Sequence, residues 1–557
     1  INYTMAQTKN VEVKVQRNSG FDKSHKVLTT VECGTITPLL TDELMPGSTV
    51  DLRLDLAAQL PPLASDTYAR MAIKAEAFFV PHRLVYGGYQ NFLTGQKMSE
   101  YYLNEDDDEF EYKDSDVVLP RLYLTGSYGL TPGNLLDQMN CHVHPATGHT
   151  MYANAFPVLA YHKVWDDWYR NSLVQKPCFV HSYNSNDSMP DDIIDCIPWN
   201  SYPVGTGKLI PQQSSFANGF PFLEMHQRNF ESDYFTNATP NAQQGEARKV
   251  SITNGAFTIE SLRLANSLQK YEERNNLAGT QYVDYIKAQY GVDVPDIVAQ
   301  RSILIGSAKY NVYNRGIYAT AGENTSGDVN ITTNPFIGAA GGKVGSAYAQ
   351  GSEFIINNFK VLEPGTLLVL VTLCPEGTSY WSASNPMWFR YNTASVADRM
   401  DLANPMLQGV GNQPIYTREL RASLSSGDDN SVFGYTERFA DWKTMTDSVR
   451  GQFREGTEFP LPVGSNKQFL SSFVLQRGYS GSTAPEISSE FLEIPKDYMD
   501  NITLAASDVS RFGAWIDSYI DYKVSMPLAQ YCQPTLENTD EEHQKDVTVS
   551  RNGSKLN

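Results

Sequence analysis

The chain has 557 residues, 41% hydrophobic and 19% charged, a balance that excludes intrinsic disorder and allows a core without disulfide or metal staples. Lys and Arg number 44 against 63 Asp and Glu, a formal charge of −19, which argues against broad wrapping of nucleic acid by this chain alone but leaves room for a local basic face. The length suits either about three or four domains or one heavily decorated β domain.

Near the start, Val11, Val13 and Val15 alternate with polar residues, and so do Val50, Leu52, Leu54 and Leu56. Period-two patterning means one buried face and one polar face, as in an antiparallel sheet. Further strand signals fall at Ala72–Val80, at Gly365–Cys374 with its apolar run Leu367–Leu373, at Phe469–Gln476 and at Tyr519–Met526. Strands so widely spaced in one sandwich imply a jelly-roll or Greek-key connection. Residues 104–116 hold eight carboxylates and one lysine, so this stretch is expected as a solvated loop tip.

Two helices interrupt the strands. Pro157 suits a first turn, and Val158, Tyr161, Val164, Trp165 and Trp168 follow at helical spacing. From Ile259 the row Ile259, Leu262, Ala265, Leu268 and Tyr271 predicts a helix with one apolar face, continued by Tyr282, Ile286 and Tyr290 until Gly291 and Pro295 stop it. Both stripes read as core. Residues 178–222 and the Gly/Ala/Asn/Thr tract from Gly316 to Gly351 read as long irregular surfaces. The polar segment from about Pro534 to Asn557 reads as an extended arm, ordered only against a neighbour.

Little here asks for chemistry. The six cysteines, at 33, 141, 178, 196, 374 and 532, include no Cys-x-x-Cys pair and read as buried free thiols in a reducing compartment. Cys141, His142, His144 and His149 lie close together but match no closed zinc spacing, and the acidic run Glu105–Glu109 lacks the turn glycine of a calcium loop. Gly338–Lys343 imitates a phosphate loop, yet Val344 stands where Ser or Thr would hold magnesium. We therefore expect no catalytic residue, no metal and no cofactor. Lys443, Arg450 and Arg454 lie near Trp442 and Phe453, a mixture that suits single-stranded nucleic acid, although an ordinary mixed-charge surface is the plainer reading. No apolar stretch approaches the ~20 residues of a membrane span. The opening residues show no basic-then-apolar signal, so synthesis in a cytoplasm is expected.

Several segments together resemble the major capsid protein of microviruses, especially the gokushovirus-like single-stranded-DNA bacteriophages. They are Phe21-Asp22-Lys23-Ser24-His25, Leu44-Met45-Pro46-Gly47, FFVPHRLVYGGYQNF at 78–92, FPVLAYHKVWDDWYRN at 156–171 and FESDYFTNATPNAQQG at 230–245. The helix at 259–276, YVDYIKAQYGVDVPD at 282–296, SYWSASNPMWFRYN at 379–392 and GYTERFADWK at 434–443 complete the series in family order. The resemblance implies an eight-stranded viral jelly roll, an antiparallel β-sandwich forming one domain over 1–557. Large insertions would fall at about 96–300 and 310–357, with a C-terminal arm at about 534–557. It further implies a structural, non-enzymatic subunit of a T=1 icosahedral shell. Sixty copies would assemble through pentamers around circular single-stranded DNA in the bacterial host cytoplasm.

On that reading the partners are other copies, a small basic packaging protein, the genome on the inner face and a host receptor on outer loops. Lys443, Arg450 and Arg454 are the candidate DNA contacts. Two features depart from the family. Only Glu246–Phe257 occupies the place of the large insertion that forms a three-fold protrusion in gokushoviruses, and the tail beyond about Leu536 is longer than usual. The alternative is a β-sandwich carbohydrate-binding protein or hydrolase, with a cleft lined by Trp and Asp.

Overall fold

The computed structural model describes residues 11–16, 18–61, 70–86, 88–95, 98–104, 109–115, 119–125, 133–142, 150–175, 177, 208–209, 224–245, 259–279, 281–320, 342–376, 384–389, 411–420, 431–445, 450, 487–496, 513–528 and 544–549. Among them two large antiparallel sheets pack face to face. Their strands are β1 (Ser19–Asp22), β2 (His25–Val31), β3 (Thr37–Leu44), β4 (Thr49–Gln59), β5 (Arg70–Pro81), β6 (Ile303–Asn311), β7 (Tyr313–Thr320), β8 (Gly342–Lys360), β9 (Gly365–Glu376) and β10 (Ala514–Met526). One sheet has the order β6-β5-β9-β3. The other runs β7-β8-β4-β10, with β1 and β2 end to end along the free edge of β10.

The expected mainly-β sandwich is therefore present, and its two sheets differ in how they meet solvent. β10 alternates strictly, burying Ile516, Ile520, Tyr522 and Val524 and exposing Trp515 and Tyr519. β9 is buried along nearly its whole length. Its Leu367, Val369 and Val371 face the six-stranded sheet, while Leu368 and Leu370 face a helical layer behind. That explains the unbroken apolar run at 367–373, because a strand covered on both faces needs no polar side.

The helical layer is α1 (Phe156–Val164), with Pro157 in its first turn, followed by a wider π-helical turn over Trp165–Tyr169. Val158, Tyr161, Val164 and Trp165 are buried against the four-stranded sheet and Trp168 is half-buried, so this stripe is core as expected.

The second stripe is not. α2 (Ile259–Ala278) and α3 (Tyr282–Tyr290) form where the spacing predicts them. Ile259, Leu262, Tyr271, Tyr282 and Tyr290 are nevertheless exposed, with Ala265, Leu268 and Ile286 half-buried. The buried residues of α2 are Glu272, Glu273, Asn275 and Asn276. Periodicity identified the helix, but its first turns are exposed on every side and its burial falls on polar residues toward the C-terminal end.

Two stretches expected as irregular contain strands. The acidic segment includes a hairpin of Met98–Asn104 with Glu109–Ser115, its tip at 105–108 lying outside the described residues. The 316–351 tract supplies the ends of β7 and β8. β8 pairs with β4 from Tyr348 opposite Gln59 to Lys360 opposite Thr49. Its small residues have a packing reason: a Cβ on Gly351 would sit 2.7 Å from the Tyr310 ring, and the Tyr310 hydroxyl reaches Leu54 O at 2.9 Å across the core. Of the expected arm, Gln544–Val549 pairs antiparallel with Val11–Gln16, outside both sheets. The strand expected at Phe469–Gln476 lies outside the described residues.

Candidate functional site

Between β5 and β6 the chain leaves the sandwich, and residues 224–245 return across the sheet as an irregular platform. Polar contacts hold it. Arg228 Nη1 and Nη2 donate to Glu76 Oε2 and Oε1 at 2.8 and 2.9 Å. The Tyr169 hydroxyl donates to the same carboxylate, and the guanidinium lies 5.2 Å from the Tyr169 ring centroid. Burial alone would raise the Glu76 carboxyl, but the hydrogen bonds and charge of Arg228 outweigh it and hold the group below its ordinary 4.5.

Next to this clamp, Glu231 takes an ion pair from Lys74 at 2.6 Å. Asp233 Oδ1 accepts from the backbone N–H groups of Phe235 and Thr236, closing a turn. The Tyr234 hydroxyl donates to Glu419 at 3.0 Å, and Phe235 is buried against Phe433. On the helical side, His162 Nδ1 and His226 Nε2 share one hydrogen bond of 2.8 Å, and Trp165 stacks on His226 at 4.1 Å. Burial, then the neighbouring His162, pushes the His226 imidazole well below its usual pKa.

Most segments that carry the resemblance are thus framework. Phe78 and Phe79 in β5 point to opposite faces and enter the two different core clusters. His82 stacks on Phe156 at 4.4 Å, and its Nε2 meets Thr366 Oγ1 at 3.1 Å. Arg83 pairs with Glu363 at 2.5 Å. Tyr435 exchanges backbone hydrogen bonds with Thr239, joining two of the recognised segments.

Lys443 ends a short helix, Ala440–Lys443, is exposed, and pairs with Glu437. Trp442 beside it is 57% exposed. Arg450 is exposed, and Arg454 and Phe453 lie outside the described residues. His142 Nδ1 sits 3.0 Å from Asp137; His144 and His149 are outside the described residues, which contain no group of three or more His, Cys, Asp or Glu placed to hold a metal. Gly342 and Lys343 of the apparent phosphate loop begin β8.

Cys33 and Cys374 are buried free thiols and Cys141 is half-buried. The first two, 341 positions apart in the chain, are brought together by a bridge between Cys33 and Leu373, which no local motif could announce. A groove of about 900 Å³ on the outer face of the six-stranded sheet carries Trp515 and Asp517. Asp517 is already paired with Lys26 at 2.8 Å.

What the geometry provides is a rigid two-sheet wall, braced behind by helices and by a polar-clamped platform, with large surfaces turned outward. Such a wall suits a shell-building protein. The family described as "Capsid protein (F protein)" matches residues 9–257 and 253–536, and the chain belongs to it. Three relatives named "Capsid protein VP1" align over almost their full lengths. That of Bdellovibrio phage phiMH2K is 22% identical, covering 93% of this chain and 95% of the relative. That of Chlamydia phage 1 is 21% identical, covering 93% and 96%. That of Spiroplasma virus 4 is 23% identical, covering 92% and 94%. The chain is a structural major capsid protein of the microvirus type, a component of the virion.

Proposed function

We propose that sixty copies of this chain form a T=1 icosahedral shell around a circular single-stranded DNA genome, assembling through pentamers in the cytoplasm of a bacterial host. The observation that carries the reading is the family match over almost the whole chain, joined to a sandwich with a long excursion between β5 and β6. The alternation of strands between the sheets supports an eight-stranded jelly roll made of β2, β3, β4, β5, β6, β8, β9 and β10. The whole chain then acts as one capsid domain with insertions. Symmetric closure spreads assembly energy over many repeated contacts.

A wall with net charge −19 repels DNA, so packaging draws on a small basic partner protein. Lys443, Arg450 and Arg454 supply the limited direct contacts, Lys443 exchanging Glu437 for a phosphate. Outer loops meet the host receptor.

Sedimentation of protein from expressing or infected cells, with negative-stain imaging of the fast fraction, tests the shell. Sixty subunits of 62.2 kDa amount to about 3,700 kDa. Spherical particles of that mass, or discrete pentamers, are expected; a stable monomer in infected cells would overturn the reading. For the DNA contacts, reversing Lys443, Arg450 and Arg454 to Glu should lower the nucleic-acid absorbance of purified particles, and unchanged content would remove the trio from the inner face.

A further inference from the structure

The groove on the outer face of the six-stranded sheet has a lining that wall-building alone does not require. Along it runs a row of directly opposed residues, in which Tyr348 of β8 and Trp515 of β10 both stand opposite Gln59 of β4. Opposed residues of antiparallel strands share a face, so the two aromatic residues flank one amide, about 10 Å apart by the spacing of strands. Trp515 is 43% exposed. The far wall is the short helix Leu135–Gln138. It is tied to β2 by Gln138 Nε2 donating to Thr30 O at 3.2 Å and Thr29 Oγ1 donating to Gln138 Oε1 at 2.6 Å.

The charges in this lining have one sign. Among the described residues Glu32, Asp137 and Asp517 line the groove, and no Lys, Arg or His does. From outside it Lys26 pairs with Asp517 at 2.8 Å and His142 lies 3.0 Å from Asp137. Both pairs are open to solvent, and such pairs exchange partners at small cost. Carboxylates attract a cation, and an aromatic face holds it, the indole of Trp most strongly. The charges are also spaced. Asp517 stands opposite Leu28 and Trp515 opposite Thr30, with Glu32 following just past β2. At about 3.3 Å per residue, the backbone positions of Asp517 and Glu32 lie about 13 Å apart along the strands, with Trp515 midway. A compact cation cannot bridge that distance, whereas an extended aliphatic triamine can.

We propose that this groove binds a linear polyamine of the spermidine type, its end ammonium groups on Asp517 and Glu32 and its inner one over Trp515. Phosphate-bearing ligands are repelled by three carboxylates, and a neutral sugar leaves those charges unanswered. A triamine seated here offsets part of the chain's charge of −19 and eases the approach of the wall to other polyanions. The site lies within one subunit, so it stands or falls apart from the capsid reading.

Isothermal titration calorimetry of the full chain with spermidine at low salt tests this. Wild type should bind one equivalent saturably. Glu32→Gln with Asp517→Asn should weaken binding at least tenfold, and Trp515→Leu about fivefold. Asp106→Asn with Asp107→Asn removes the same charge from the acidic segment and should bind as wild type does. Gln59 is exposed, so Gln59→Lys sets an ammonium between the two aromatic residues without disturbing the core. It should abolish binding, and it decides the matter if the first pair fails to fold. Absence of saturable binding by wild type, or full binding by Gln59→Lys, would overturn the inference. So would an equal loss in the Asp106 and Asp107 control, which would assign the effect to the ion cloud of an acidic chain. Tighter binding of trilysine than of spermidine would overturn it as well, by assigning the groove to a basic protein segment.

Discussion

Replacing Arg228 by Met removes the guanidinium that faces Glu76 and keeps most of the side-chain volume. Both partners are only 17% exposed, so little solvent reaches the carboxylate left behind. Removing one member of a buried pair costs about 3–5 kcal/mol, mainly through the uncompensated charge. With Lys74 nearby and some residual exposure, the lower end applies, about 3 kcal/mol, or roughly a hundredfold in the folding equilibrium. Urea unfolding of purified subunits, followed by tryptophan fluorescence, measures this loss. A double-mutant cycle with Glu76→Gln isolates the pair from the volume change.

The pH dependence provides an independent check. In the wild type the Glu76 carboxyl is held below 4.5, so its contribution is present above that value and is lost as pH falls through the lowered folded-state pKa. In Arg228→Met, burial acts without its opposing partner and the carboxyl rises. The variant should therefore be most destabilised near neutral pH and approach wild type as acid protonates Glu76. A loss below about 1 kcal/mol at pH 7, the size of an exposed pair, with no convergence in acid, would refute the claim that this clamp holds the platform to the sheet.

Other perturbations have equally definite outcomes. Burial lowers the His82 imidazole from 6.5 to about 4, and its Nδ1 has no hydrogen-bond partner; the Glu43 carboxylate 3.9 Å away is 60% exposed and well screened. Because the unfolded chain takes the proton first, wild-type stability should fall by about 3 kcal/mol between pH 6.5 and 4 and then level off. In His82→Gln, urea midpoints across that window should lack this slope, and an equal slope would assign it to other groups. A Cβ on Gly306 would lie 2.0 Å from Ile355 O, and backbone cannot yield as a side-chain end can. Gly306→Ala should therefore cost about 3 kcal/mol by urea unfolding, and a loss under about 1 kcal/mol would mean that β6 and β8 separate easily. Deleting residues 540–557 removes the strand that pairs with Val11–Gln16 while leaving both sheets whole. Shell yield should then drop while the urea midpoint holds; normal particle yield from the shortened chain would refute a role for the tail in assembly.

Much of the sandwich was legible in the residues themselves. Strict alternation in Val50–Leu56 and Tyr519–Met526 announces half-buried strands, since a pleated strand repeats every two residues. Pro157 with the following Val/Tyr/Trp spacing announces α1 in the same way. The acidic hairpin and β8 were hidden, because carboxylates and glycines carry weak strand preference. Pairing with a partner strand, as β8 pairs with β4, overrides that preference.

The sequence by itself determined the element types along most of the sandwich and, through its ordered series of segments, the family. Tertiary structure alone decided which faces are covered. It buried Leu367–Leu373 from both sides, brought Arg228 to Glu76 across 152 positions, and left the apolar residues of α2's first turns exposed while Glu and Asn residues further along were buried. The reason is physical: periodicity records which side chains share a face, a local property of backbone geometry. What that face meets depends on contacts between segments far apart in the chain.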